Sequence, residues 1–150
     1  MANMHFERTI HASREKLWNA LWDDASYRKW TSAFSPTSYA VTDNWKEGSK
    51  VLFLDGEGSG MVSTIAENRP NEYMSIKHLG EVKNGVEDTT SEKVQAWNGA
   101  MENYTLTQTL KGTHLAVELI GNIPDEFADY FEKTWPLALD KLQALAEENA

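Results

Sequence analysis

Residues 124–147 read Pro-Asp-Glu-Phe-Ala-Asp-Tyr-Phe-Glu-Lys-Thr-Trp-Pro-Leu-Ala-Leu-Asp-Lys-Leu-Gln-Ala-Leu-Ala-Glu, and no other segment says as much about the architecture. Phe127, Phe131, Trp135, Ala138, Leu142 and Leu145 recur at three- and four-residue spacing. That spacing predicts one long helix with a continuous apolar face about five turns long. Pro124 suits a first helical turn, and Asp125 and Glu126 favour the positive end of the helix dipole. Pro136 lies inside the segment, removes one backbone hydrogen bond, and should bend the helix there. An apolar face of this length must lie against a broad surface.

Upstream, the chain supplies that surface. From Thr37 to Leu119 the pattern turns to strands with turn punctuation, with candidates at 37–42, 49–55, 59–67, 72–82, 101–110 and 113–121. Lys46-Glu47-Gly48-Ser49, Asp55-Gly56-Glu57-Gly58, Arg69-Pro70-Asn71-Glu72 and Lys111-Gly112 break these runs over lengths that fit hairpins. Lys83 to Gly99 is the exception: polar, containing Asn84-Gly85, with Val94 and Trp97 near its end. A connection that long reads as a flexible lid or a disordered segment.

Further upstream, residues 4–11 alternate as a half-buried strand does. Ser13 can cap a following helix in which Leu17 and Leu21, and Trp18 and Trp22, stand four apart. A second short helix is expected over 25–30. Strand, two short helices, six strands and a long helix form an α+β chain in which one antiparallel sheet of about six to seven strands curves around one helix.

Composition narrows the functional classes. The 150 residues fit one domain. A net charge of −9 without a basic stripe argues against nucleic acid as a partner. The absence of cysteine excludes disulfide and thiolate chemistry and permits a reducing compartment, so a cytoplasmic location is expected. No stretch approaches the roughly 18 apolar residues of a membrane span. The N-terminus lacks a basic region followed by an apolar run, so no signal peptide is expected.

Four groups of residues carry a resemblance. Thr9-Ile10-His11-Ala12-Ser13-Arg14-Glu15-Lys16-Leu17-Trp18-Asn19-Ala20-Leu21 resembles the opening strand, small-residue turn and helix of the START-like (SRPBCC) superfamily. Within it, the likeness is to the bacterial relatives of the activator of the Hsp90 ATPase. Tyr27-Arg28-Lys29-Trp30 is similar to that family's short helix ending in Trp. Glu102-Asn103-Tyr104-Thr105-Leu106 with Gly112-Thr113-His114-Leu115 resembles its final hairpin, and Trp135 with Leu139, Leu142 and Leu145 its closing helix. A Gly often precedes the closing-helix Trp in the family; here Thr134 stands there and Pro136 follows, which bears on the shape of any cavity. The resemblance implies a helix-grip fold. It also implies a choice among lipid and hormone carriers, polyketide cyclases, toxin–antitoxin partners and a chaperone cofactor, because this fold does not specify one function.

Motifs for chemistry are sparse. No two of His5, His11, His78 and His114 stand at metal-ligand spacing, so no metal is expected. Gly58-Ser59-Gly60 lacks the frame of a nucleophile elbow, and no helix follows the glycines at 56–60, so neither a catalytic serine nor a phosphate cofactor is expected. Glu102 reads as a solvated strand carboxylate. On the strand 72–82, Met74, Ile76 and His78 share one face by period two, and that apolar face should point inward. The aromatic residues are the better clue, since a helix resting on a curved sheet leaves a void lined by such side chains. The candidate cavity residues are Trp30, Phe53, Met74, Ile76, His78, Trp97, Tyr104, Phe131 and Trp135, with Trp97 at the mouth beside the long connection. No catalytic residue is assigned. Three readings stay open: a module binding a small apolar or amphipathic ligand, a chaperone-cofactor-type module docking a protein partner, and a cavity enzyme of the cyclase or hydrolase type using His78 with Tyr104. Pairing of sheet edges into a homodimer is compatible with each.

Overall fold

A computed structural model describes residues 3–148. The chain runs β1 (Met4–Ile10), α1 (Arg14–Trp22), α2 (Asp24–Trp30), a 3₁₀ turn (Thr31–Ala33), β2 (Tyr39–Thr42), β3 (Lys50–Leu54), β4 (Gly60–Arg69), β5 (Tyr73–Lys83), β6 (Val86–Asp88), α3 (Glu92–Gln95), β7 (Met101–Thr109), β8 (Gly112–Ile120) and α4 (Asp125–Glu147). One antiparallel sheet has the order β1-β8-β7-β5-β4-β3-β2, with β6 paired to β5 beside this path. The first strand closes the sheet against the last, Met4 opposite Leu119 and Ile10 opposite Thr113.

Local chemistry explains each end of the small helical insert. The Ser13 side chain accepts from the Lys16 amide at 3.1 Å and starts α1 as a cap. Leu17, Ala20, Leu21 and Trp22 are buried, while Trp18 is only partly so. Tyr27 and Trp30 anchor α2, and the Trp30 indole donates to the Leu21 carbonyl at 3.0 Å.

The concave face of the sheet collects the alternate residues of each strand. Leu115, Val117 and Leu119 of β8, Tyr104 and Leu106 of β7, and Met74 and Ile76 of β5 are all buried. Against them lies α4. Its C-terminal half packs tightly because its contact residues suit close approach: Ala138, Leu139, Leu142 and Ala146 are essentially inaccessible. The expected stripe drifts by one residue at its end, so that Ala146 rather than Leu145 takes the innermost place, Leu145 being half-buried. At the other end Phe127 is 43% exposed instead of sealed in the core. The helix continues through Pro136, as it can where neighbouring elements hold both sides.

The segment 83–99 is neither a bare lid nor disordered. Asn84 and Gly85 adopt φ of 52° and 77°, the left-handed pair of a two-residue hairpin turn. That turn folds β6 back on β5, adding a strand to the six or seven expected. Ser91 then caps α3, accepting from the Val94 amide at 3.3 Å, and Val94 is fully buried. The segment therefore has both a hairpin and an apolar anchor.

The pairing of β4 with β5 shifts register between Val62 and Ser63 and again between Ile65 and Glu67, irregularities of the kind that bend a sheet. At the start of the same strand, a Cβ on Gly60 would stand 1.7 Å from the Phe53 carbonyl oxygen. Only glycine lets β3 and β4 approach so closely.

Candidate functional site

Where the N-terminal half of α4 diverges from the bent sheet, a cavity of about 410 Å³ remains. Phe127, Phe131 and Trp135 form one wall, and Trp30, Thr31 and Phe34 a second. Phe53, Gly60 and Met61 come from β3 and β4, and Lys93, Trp97 and Ala100 stand at the segment before β7. Trp22 and Tyr27 lie behind. The aromatic rings brace one another: Trp22 meets Tyr104 edge-on at 4.9 Å between centroids, and Phe34 meets Trp135 at 5.2 Å. Such edge-to-face pairs hold ring planes in defined orientations and give the cavity fixed walls.

One polar cluster interrupts the apolar lining. Ser63 stands opposite His78 in the β4–β5 register, and Ile76 stands opposite Glu102 in the β5–β7 register. This pairing brings Glu102 diagonally to His78, with Tyr104 two residues further along the same face. The Ser63 hydroxyl lies 2.7 Å from His78 Nδ1, and His78 Nε2 lies 3.0 Å from Glu102 Oε1. The Tyr104 hydroxyl donates to Glu102 Oε2. In a neutral imidazole with its proton on Nε2, every group is satisfied: Ser63 donates to Nδ1, Nε2–H donates to Glu102, and Tyr104 donates to the other oxygen. Of the four, His78, Glu102 and Tyr104 line the cavity, whereas Ser63 is fully buried beneath them.

Burial holds the Tyr104 hydroxyl well above the ordinary phenol value near 10, and the Glu102 charge and hydrogen bond raise it further. Tyr27 is raised for the same reasons, burial first and then the Glu102 charge. Both remain phenols when an unfolded chain would already ionise, so the unfolded state then binds fewer protons and stability falls with pH. That part of the stability is complete below about pH 10 and declines above it by about 1.4 kcal/mol per pH unit for each phenol. Urea unfolding between about pH 9 and about pH 11 should show this decline, and Tyr104→Phe should lessen its slope by about one phenol's share. An equal slope in both chains would show that Tyr104 ionises freely in the fold.

Seven of the nine residues expected to line a cavity do so: Trp30, Phe53, His78, Trp97, Tyr104, Phe131 and Trp135. Trp97 is partly buried beside α3, at the edge of the opening. Ile76 does not reach the cavity; it is fully buried in the filled part of the core. Met74 is turned instead toward a hollow of about 670 Å³ on the other side of Trp22 and Tyr27, under α1, α2 and β2. The period-two rule placed Met74, Ile76 and His78 on one face correctly, but a face is longer than the cavity it borders.

Glu102 departs most from the sequence reading. Its side chain is 20% exposed and turns inward with Tyr104 instead of into solvent. The signal was present in the parity of the strand, since Glu102, Tyr104 and Leu106 are spaced by two and the last two are plainly apolar-facing. Lys93, which reaches to 3.7 Å from Glu81 at the opening, carries no such signal because only the tertiary path of 86–98 brings it there. Among the described residues no three His, Asp or Glu side chains are grouped to hold a metal ion, and no helix is long and apolar enough to cross a membrane.

Comparison with known proteins places this geometry. The profile of the family described as Activator of Hsp90 ATPase homolog 1-like protein matches residues 11–147. A search of curated proteins found no match. Among solved structures, protein MLL2253 of Mesorhizobium loti superposes with a TM-score of 0.76 at 22% identity, over 99% of both chains. The Aha1 dimer of Colwellia psychrerythraea gives 0.73 at 20% identity, over 98% of this chain and 97% of that one. Protein CV1439 of Chromobacterium violaceum gives 0.72 at 19% identity, over 98% and 99%. At these identities the likeness is one of fold.

Proposed function

We propose, since this chain belongs to the Activator of Hsp90 ATPase homolog 1-like family, that it is a binding module which takes up one small apolar or amphipathic ligand between sheet and closing helix, without covalent chemistry. The carrying observation is the cavity of about 410 Å³ walled by ten aromatic side chains. Its size and its lining, apolar with a few convergent polar groups, are those of small-molecule sites.

The polar cluster supports holding more than reacting. Ser63, His78 and Glu102 are linked in series, but Ser63 is fully buried and outside the cavity lining, so no substrate can meet its hydroxyl. Both nitrogens of His78 are occupied within the cluster, leaving it no free lone pair for a substrate proton. A protein-docking surface has less support. The large apolar side chains exposed elsewhere, Val41, Val86, Leu110 and Leu137, are scattered over different elements, whereas Phe127 and Tyr130 lie on the helix beside the cavity.

The test is titration with the neutral fluorescent probe N-phenyl-1-naphthylamine. Saturable binding of one equivalent is expected, together with its loss in Ala100→Trp, which fills the cavity from its lining. A melt of the variant within a few degrees of the parent confirms that the fold persists. Absence of saturable binding, or unchanged binding in the filled variant, overturns the reading.

A further inference from the structure

We infer, resting on the cavity-binding reading, that the ligand is an apolar molecule whose polar end donates a hydrogen bond, as a hydroxyl or a protonated amine, and that the Glu102 carboxylate receives it. The count of donors and acceptors leads there. With the His78 proton on Nε2, the tautomer that satisfies every group of the Ser63–His78–Glu102–Tyr104 cluster, every proton is already committed: Tyr104 gives its own to Oε2 and His78 gives the Nε2 proton to Oε1. A carboxylate offers about four lone-pair directions, and two of them are used. The cluster therefore presents the cavity with spare acceptors and no spare donor. An incoming carbonyl or carboxylate finds nothing to accept from there; an incoming O–H or N–H does.

Charge selects in the same direction. Glu81 and Glu102 both line the cavity, and Lys93, which stands 3.7 Å from Glu81, is the lysine opposing them. Among the described residues the lining holds no arginine. An anionic end group would enter a space already negative and poorly hydrated, where repulsion is stronger than in water. A cationic end group would gain both from Glu102 and from the surrounding ring faces, which attract cations through their quadrupoles. Aromatic rings make up much of the remaining lining. Trp30 and Trp135 approach to 6.0 Å with 41° between their ring planes, and Tyr104 and Trp135 to 6.2 Å with 55°, so mutually tilted rings border the space beside the carboxylate.

Four compounds on one frame separate the contributions: naphthalene, 2-naphthol, 2-naphthylmethylammonium and 2-naphthoate, titrated calorimetrically at neutral pH. The naphthol and the ammonium should bind at least about tenfold more tightly than naphthalene, as expected for a hydrogen bond to a charged acceptor. The naphthoate should bind at least about tenfold more weakly than naphthalene. In Glu102→Gln, which keeps the side chain's shape, the ammonium should lose about tenfold and the naphthoate should recover. Naphthoate binding as tightly as naphthol, or an unchanged order in Glu102→Gln, overturns the inference while leaving the cavity reading intact. Failure of all four compounds overturns both. The parent protein's series decides the matter even if the variant folds poorly.

Discussion

Trp135→Ala should lower folding stability by about 3–5 kcal/mol, the range for deleting a buried large aromatic. Trp135 is 4% exposed and stands at the centre of the aromatic cluster. It stacks on Phe6 at 5.8 Å and also meets Trp30, Phe34 and Tyr104. It thus ties α4 at once to β1, to the α2 turn and to the central strand β7. One side of the indole already borders the cavity, so the atoms there lose fewer contacts and the cost should lie toward about 3 kcal/mol. For a domain of this size that loss is a large fraction of the whole and should lower the midpoint of thermal unfolding by about 10 °C. Denaturant unfolding followed by far-ultraviolet circular dichroism measures it. A change under about 1 kcal/mol would mean that the helix register is wrong.

Glu102→Ala should cost about 2 kcal/mol, although the side chain removed is charged. The reason is what it leaves behind. His78 Nε2–H and the Tyr104 hydroxyl both donate to this carboxylate, and both lose their acceptor in a buried place. Each orphaned donor costs about 1–3 kcal/mol, reduced here to the extent that water can enter through the cavity. A double-mutant cycle separates this from simple packing. Tyr104→Phe should cost about 1 kcal/mol in the parent chain and close to nothing in Glu102→Ala, because the hydroxyl no longer has a charged partner to lose. Additive costs would show that the two side chains act independently.

Particular residues show how far the sequence reached. The apolar spacing of Phe131, Trp135, Ala138 and Leu142 made the closing helix legible, since a 3.6-residue period can be satisfied only one way. Alternation along 72–82 and 101–110 identified strands, and along 72–82 it put His78 on a face that proves to be internal, whereas Tyr104 was singled out as an aromatic side chain. Asn84-Gly85 was a readable hairpin signal inside a segment whose polarity suggested disorder. There the left-handed backbone of Asn84 and Gly85 decides the structure over the average polarity of the segment.

What periodicity alone determined was therefore the larger elements, their order, and the inward face of the strand carrying Met74, Ile76 and His78, because those follow from repeat lengths of about 3.6 and 2 residues. What only the tertiary structure decided was where the core is filled and where it is hollow. That depends on a sheet bent by two irregularities in β4 and on a helix whose small residues lie toward its C-terminal half, so the two surfaces close at one end and part at the other. The polar cluster belongs to the same category. Ser63, His78 and Glu102 are separated by 15 and 24 residues from one another, and only strand register, a property of pairs of strands and not of any one, brings them into line.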